Sequence, residues 1–336
     1  MAAVSIVMPA YNAEKYISDA IVSILEQSFT DWNLIIVDDA STDRTKNIIA
    51  YYAKRNARIK TIFNDKNSGS ARQPELQAIS LVDSEWVIVI DDDDYIEKDY
   101  LMKMLNRALT THSDLVLGRM QLIDESKNIL MYCIPESGYD MNQILTGHQA
   151  LTKTIGKWEI GFNGALVKTD YYRRLPNDGQ NEMNMDEVDS RRLLLMAEQV
   201  GLCEAVYYYR QHENSITKKI SMKLFDRMCT SFELLSFLSK AIPEDKEILI
   251  IQMRECWASV SDSLLLLLTY RSSFSADERL CIHRNIRMYY KECQSQERYL
   301  RMSAVKKMFL LRGYSCFFLV KTICFNLRKL NQYIKH

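Results

Sequence analysis

Glycine and proline are scarce in this chain, 10 and 5 residues out of 336, and no segment is built from them. That shortage excludes collagen-like and low-complexity classes, and 47% hydrophobic against 26% charged residues excludes a wholly disordered chain. No run of about 18 apolar residues occurs, so no membrane-spanning helix is expected. The opening Met1-Ala-Ala-Val-Ser-Ile-Val-Met-Pro9 lacks a basic segment followed by a long apolar one, so the protein is expected in the cytoplasm. The 8 cysteines are scattered, with no C-x-x-C pair and no zinc-like grouping with histidine, and read as reduced, mostly buried thiols. Lys+Arg and Asp+Glu balance at 43 each, which removes the reason to expect a nucleic-acid partner. Also absent are the G-x-x-x-x-G-K-[ST] cradle, a G-x-G-x-x-G after the first strand, H-E-x-x-H and G-x-S-x-G. Kinase, dehydrogenase, zincin and serine-hydrolase readings lose their support.

What is present is an alternation of short β-rich runs and longer amphipathic ones. Val4–Met8, Asn33–Val37, Ile59–Phe63, Trp86–Ile90 and Asp114–Leu117 read as strands. Helices are predicted over Glu14–Gln27, over Thr42–Asn56 with Ser41 or Thr42 as cap, and over Lys98–Thr111. Strands apolar on both faces, separated by helices, imply an α/β fold with a mostly parallel sheet covered on both sides. Ligands in such sheets sit beyond the C-terminal strand ends. The polar clusters fall there: Pro9-Ala-Tyr-Asn12, Asp38-Asp39 and Asp91–Asp94. Residues 119–217 are less regular, and Gly138, Gly147, Gly156, Gly161, Gly164 and Gly179 suggest loops around short strands. From about Ser221 the pattern turns helical.

Four carboxylates in one turn, Asp91–Asp94, repel one another unless a cation compensates, and hard oxygen ligands suit Mg²⁺ or Mn²⁺. Such a metal would neutralise charge on a leaving diphosphate; the plainer alternative is a solvated acidic turn. Asp38 and Asp39 could accept hydrogen bonds from a nucleobase and a ribose, or cap a helix. His212, within Tyr209-Arg-Gln-His-Glu-Asn-Ser-Ile216, could complete a metal shell or touch a diphosphate with Arg210 beside it, or be structural. Met185-Asp-Glu-Val-Asp189 precedes the apolar Leu193–Met196, where its acids could cap a helix or face a site.

Together these segments resemble the family 2 glycosyltransferases of GT-A fold. The resemblance rests on Val4–Asn12, Ile36–Asp43, Ile90–Tyr95, Asn67-Ser-Gly-Ser-Ala-Arg72 (similar to N-x-G-x-x-x-A-R-N) and Tyr209–Ser215 (similar to Y-R-x-H-x-x-S), in the family's order. It implies a nucleotide-sugar donor, commonly a UDP-sugar, bound by Pro9, Tyr11, Asp38, Asp39, Arg72, Asp91, Asp92 and Arg210. It makes Asp91–Asp93 the D-x-D motif, with Asp93 as principal metal ligand beside His212 and Mn²⁺ or Mg²⁺ as cofactor. Asp186, with Arg192 six residues on, is the implied catalytic base and Glu187 the alternative; Trp158, Phe162 and Asn163 lie where related enzymes place acceptor contacts. The expected reaction is inverting transfer to a hydroxyl of a saccharide or lipid-linked saccharide acceptor in polysaccharide or glycoconjugate assembly. The chain departs from the family at Met185, where Glu is common, and at Gln73-Pro74, where Asn is usual. Those departures motivate the alternative of a catalytically degenerate partner or scaffold subunit. A sugar-nucleotide nucleotidyltransferase would need a Gly-rich basic loop where Pro9-Ala-Tyr-Asn12 stands.

The expected organisation is a GT-A domain over 1–217, with a nucleotide-binding half 1–118 and an acceptor half 119–217, then a helical region 218–336. Beyond Glu297 there is no acidic residue, while Arg298, Arg301, Lys306, Lys307, Arg312, Lys321, Arg328, Lys329 and Lys335 fall among apolar residues. This basic amphipathic tail, 298–336, is expected either on an anionic membrane surface, making the protein peripheral on the cytoplasmic face, or docked on protein. A homo-oligomer is compatible with the sequence.

Overall fold

The computed structural model describes residues 2–176, 184–212, 220–295 and 313–334, with the side chains of 131, 132 and 326–334 outside the description. The chain divides into two compact units, Met1–Asn181 with Asp189–Ser215, and Glu182–Val188 with Ile216–His336.

The first unit is a ten-stranded sheet covered by helices. Its strands are β1 (Val4–Ala10), β2 (Trp32–Asp38), β3 (Ile59–Phe63), β4 (Trp86–Val89), β5 (Tyr95–Ile96), β6 (Leu115–Ile123), β7 (Ile129–Ile134), β8 (Ile144–Leu145), β9 (Leu166–Lys168) and β10 (Val200–Arg210). The order is β3-β2-β1-β4-β9-β6-β10-β5, with β7 on β6 and β8 on β10. Strands β1 to β4 are mutually parallel, β9 enters antiparallel between β4 and β6, and β6 and β10 run parallel. Strand period two sends alternate side chains to opposite faces. Val4, Ile6 and Met8 of β1 with Trp32, Leu34 and Ile36 of β2 fill one core; Val7, Ile35 and Val37 enter the other.

Helices α1 (Ile17–Leu25), α2 (Thr45–Ala53) and α4 (Tyr100–Thr111) cover the first face through Ile17, Ile21, Ile24, Ile49, Leu101 and Met104. Helices α3 (Arg72–Ile79), α5 (Gly147–Thr152), α6 (Thr169–Arg173) and the later part of α7 (Met185–Met196) cover the second. Helix α2 starts later than expected and has no side-chain cap of its own, because Ser41 and Thr42 are bonded to Asn12 instead. The acids of Met185–Asp189 lie inside α7 rather than ahead of it.

Residues 119–217 hold more strand than their glycines suggest, since β10 alone runs eleven residues. Two of those glycines mark close approaches, Gly147 within α5 and Gly164 in the turn before β9. A Cβ on Gly147 would lie 2.0 Å from the Leu194 carbonyl oxygen, and one on Gly164 (φ +69) would lie 2.5 Å from the Tyr207 ring and 2.6 Å from the Tyr100 hydroxyl. That hydroxyl donates to the Gly164 carbonyl at 2.8 Å.

The second unit contains α8 (Asp226–Ala241), α9 (Lys246–Thr269), α10 (Ala276–Ser295) and α11 (Tyr314–Ile334). Asp245 caps α9 by accepting from the Ile248 amide at 3.0 Å. Met228, Met253, Val260, Leu264, Ile282, Ile286, Tyr290 and Phe317 form its core. Trp257, Tyr290 and Phe317 pack with ring centroids 5.1–5.9 Å apart. None of the eight cysteines is in a disulfide, and burial pushes the Cys293 thiol up to about 12, so it is an inert core group. The tail segment 298–312 and residues 335–336 lie outside the described residues, and Gly313 (φ +90) stands immediately before α11.

Replacing Gly164 by alanine forces both a left-handed alanine and a clash with Tyr207. Urea unfolding should show a loss of about 2 kcal/mol or more. An unchanged midpoint would mean that the Tyr100–Gly164–Tyr207 packing is slack.

Candidate active site

The site forms where β1, β2 and β4 end. Pro9 is tolerated in a central strand because Val7, whose carbonyl accepts from Ile90 at 2.9 Å, is the last β1 residue paired with β4. Two residues on, the amide that Pro9 lacks would face the space where that ladder has stopped. Beyond it, Asn12 takes φ +52, a left-handed conformation that asparagine tolerates. The Asn12 amide donates to Ser41 Oγ at 2.9 Å, and Asn12 Oδ1 accepts from the Thr42 amide at 2.8 Å. Ala13 and Glu14 donate to Thr45 Oγ1 and Asp43 at 2.8 and 3.1 Å. The two loops are thereby stapled into one rim, on which Tyr11 stands 45% exposed.

Asp38 and Asp39 are both buried. Asp39 is committed to the chain rather than open to a nucleotide: its carboxylate accepts from Asn64 Nδ2 at 3.0 Å and from the Ser68 amide and hydroxyl at 2.8 Å each. Among the described residues Asp38 accepts only a long bond from Ser41 at 3.3 Å, and its Oδ1 has no hydrogen-bond partner. A buried acceptor without a donor is costly.

The four aspartates after β4 divide into different roles. Asp94 is fully buried and accepts from the Tyr207 hydroxyl and the Arg210 amide, each at 2.7 Å. Burial first, then the Asp93 and Asp91 carboxylates, hold its carboxyl well above the usual range. Asp92 accepts from the Tyr11 amide at 2.8 Å, and burial followed by Asp93 raises it in the same way. These two carboxyls are therefore tied into the turn. Asp93 Oδ2 lies 2.8 Å from His212 Nε2, while His212 Nδ1 is buried with no partner among the described residues. The ring packs on Tyr16 at 4.8 Å.

A carboxylate oxygen 2.8 Å from an imidazole nitrogen is a donor pair that a divalent cation such as Mn²⁺ accepts in place of the hydrogen bond. Among the described residues no three His, Cys, Asp or Glu side chains group so as to hold a metal ion. An open pair fits a cation that takes its remaining ligands from substrate phosphates and water.

Arg210, expected beside a diphosphate, is buried. Its Nε donates to the Asp93 carbonyl at 2.8 Å, Nη1 to the Glu125 carbonyl at 3.3 Å and Nη2 to Asp19 at 3.0 Å. Its guanidinium is engaged in holding the turn. Arg72, expected to approach the donor, is likewise buried, donating to Asp189 at 2.8 Å and to the Pro176 carbonyl at 2.6 Å. Arg192, the basic residue of the base motif, binds the other oxygen of Asp189 at 2.9 Å. Asp186, exposed, and Glu187, half-buried, occupy the first turn of α7. Trp158 is half-buried with Arg191 stacked over its ring at 3.8 Å, Phe162 packs against the second core, and Asn163 is half-buried. Sequence reasoning missed Tyr207 and Asp19. Tyr207 lies on the strand that ends in the Tyr209–His212 segment, a signal that could have found it; nothing marks Asp19.

Residues 5–173, about half of the chain, match the profile described as Glycosyl transferase family 2. The chain belongs to that family and is a glycosyltransferase. Glycosyltransferase GlyG of Streptococcus pneumoniae serotype 4 (strain ATCC BAA-334 / TIGR4) is 23% identical over 64% of this chain and 73% of its own. The poly(ribitol-phosphate) beta-glucosyltransferase of Bacillus spizizenii (strain ATCC 23059 / NRRL B-14472 / W23) is 34% identical over 61% of this chain, a match that spans only 32% of that enzyme. The crystal structure of S. aureus TarS 1-349 superposes with a TM-score of 0.59 at 18% identity, over 86% of this chain and 91% of the fragment. The same fragment in complex with UDP-GlcNAc gives 0.58. The family match and this likeness give the transferase its GT-A fold.

Removing Arg72 leaves the buried Asp189 with one cation instead of two. Arg72→Ala should cost about 3–5 kcal/mol in urea unfolding, as one-sided loss of a buried pair does. A cost below about 1 kcal/mol would mean that the pair is not shielded from water.

Proposed function

We propose that this transferase moves a sugar, with inversion, from a UDP-sugar to a hydroxyl of a saccharide or lipid-linked saccharide acceptor, and that it is metal-dependent. The observation that carries the reading is Asp93 Oδ2 lying 2.8 Å from His212 Nε2 at the end of β4. Asp93 and His212 would hold Mn²⁺ or Mg²⁺, with Asp91–Asp93 as the D-x-D motif. When bound, the ion neutralises charge on the departing diphosphate. The exposed Tyr11 ring offers a face for a nucleobase, and Asp38 Oδ1 an acceptor for a base or ribose donor. The UDP-GlcNAc complex of the similar TarS fragment supports a uridine diphosphate donor.

Asp186 is the proposed base, with Glu187 as alternative. It lies one turn before Asp189, whose carboxylate is held between Arg72 and Arg192. The acceptor hydroxyl gives its proton to the Asp186 carboxylate as the oxygen bonds to the anomeric carbon. The bond from that carbon to the diphosphate oxygen breaks, and its electron pair leaves with the nucleotide. Trp158 and Asn163 are proposed to touch the acceptor sugar.

The tail is proposed to rest on an anionic bilayer. Its nine basic and no acidic residues after Glu297, with Leu319 and Ile323 exposed on α11, support this. Among the described residues no helix is long and apolar enough to cross a membrane.

Release of UDP from a panel of UDP-sugars, with and without Mn²⁺, tests the reaction. One donor should be cleaved only with metal, Asp93→Ala should abolish cleavage, and Asp186→Asn should lower acceptor-dependent transfer by about 10²–10⁴-fold. Metal-independent turnover or an active Asp93→Ala would sink the metal reading; retained transfer by Asp186→Asn would move the base to Glu187. Co-sedimentation with vesicles tests the tail. Binding should require an anionic phospholipid and weaken in Leu319→Asp/Ile323→Asp, whereas equal recovery with neutral vesicles overturns the surface proposal.

A further inference from the structure

Resting on the reading of Asp93 as a metal ligand, we infer that Asp19 of α1 is a positioning residue that sets Asp93 through Arg210, and so controls divalent-cation affinity. Asp19 Oδ2 accepts from Arg210 Nη2 at 3.0 Å, and Asp19 Oδ1 from Lys127 Nζ at 3.0 Å. Lys127, at φ +66, lies in the turn between β6 and β7, and its ammonium stands 5.4 Å from the Tyr95 ring centre. Arg210 spreads its planar fork over separate pieces of chain. Nε holds the Asp93 carbonyl at 2.8 Å and Nη1 the Glu125 carbonyl at 3.3 Å, while its own amide holds Asp94 at 2.7 Å. The Tyr16 and Tyr95 rings face the guanidinium at 4.9 and 5.7 Å.

The Asp19 side chain is 36% exposed, so its Coulombic contribution is screened, and its value is directional. It fixes the rotation of a fork whose side chain is 2% exposed and whose Nε aims at the Asp93 main chain. Without it, the guanidinium loses its one carboxylate partner among the described residues, and the Asp93 carbonyl can drift with it. Asp93 and His212 would then no longer be pre-set at 2.8 Å. Groups that orient metal ligands typically change metal affinity by about 10–100-fold when removed.

The experiment is Mn²⁺ titration of the full chain by calorimetry in the presence of UDP, with melting temperature and UDP-sugar cleavage measured in parallel. Asp19→Ala should raise the Mn²⁺ concentration for half-saturation by about tenfold or more. Its cleavage rate at saturating Mn²⁺ should stay within about threefold of wild type, and Asp19→Glu should recover part of the affinity. If Asp19→Ala is too unstable to purify, Lys127→Ala, which breaks only the exposed half of the bridge, should move the constant in the same direction by less. A lowered melting temperature with an unchanged Mn²⁺ constant overturns the inference and leaves the metal reading standing. UDP binding by the wild type that is indifferent to Mn²⁺ overturns both.

Discussion

A buried carboxylate and a buried guanidinium hold the functional end of the sheet together. Asp94 accepts from Tyr207 and from the Arg210 amide, and the Arg210 side chain grips the Asp93 carbonyl, Asp19 and Glu125. Burying either charge alone would cost several kcal/mol, so each is tolerable only with its bonds made. Strand β10 must therefore end beside the turn after β4, although the two are far apart in sequence. The turn then has no choice of conformation: Asp94 points inward, Asp92 takes the Tyr11 amide, and Asp93 meets His212.

A second buried electrostatic tie organises α3 and α7. Arg72 and Arg192 share the Asp189 carboxylate, and the Arg72 fork also reaches the Pro176 carbonyl. Both arginines expected to approach the donor, Arg72 and Arg210, are used this way. Their charge stabilises the walls of the site through planar, multi-donor geometry that lysine could not reproduce. Among the described residues the Asp38 Oδ1 oxygen and the His212 Nδ1 nitrogen are left without a partner, and the Tyr11 ring is exposed.

Much of the fold was legible because period-two and period-3.6 patterns write burial directly into the chain. Val4–Met8 alternates its side chains between two cores, as a strand covered on both faces must. Of the glycines of 119–217, Gly138, Gly156, Gly161 and Gly164 lie in turns and loops as read, while Gly147 opens α5, because a glycine that admits a carbonyl looks in sequence like one that makes a loop. Ser41 and Thr42 misled as helix caps for a similar reason: a hydroxyl serves whichever donor or acceptor the fold brings to it, here Asn12.

The sequence by itself determined the fold class, the family and the strand ends at which polar residues gather, since these follow from hydrophobic period and short contiguous segments. Only the tertiary structure decided how four adjacent aspartates divide between structure and chemistry. It also decided that Arg72 and Arg210 each bond to a carboxylate within the chain, Asp189 for the first and Asp19 for the second. The reason is that a charged side chain's role depends on which partners reach it within about 3 Å, and those partners come from segments distant in the chain.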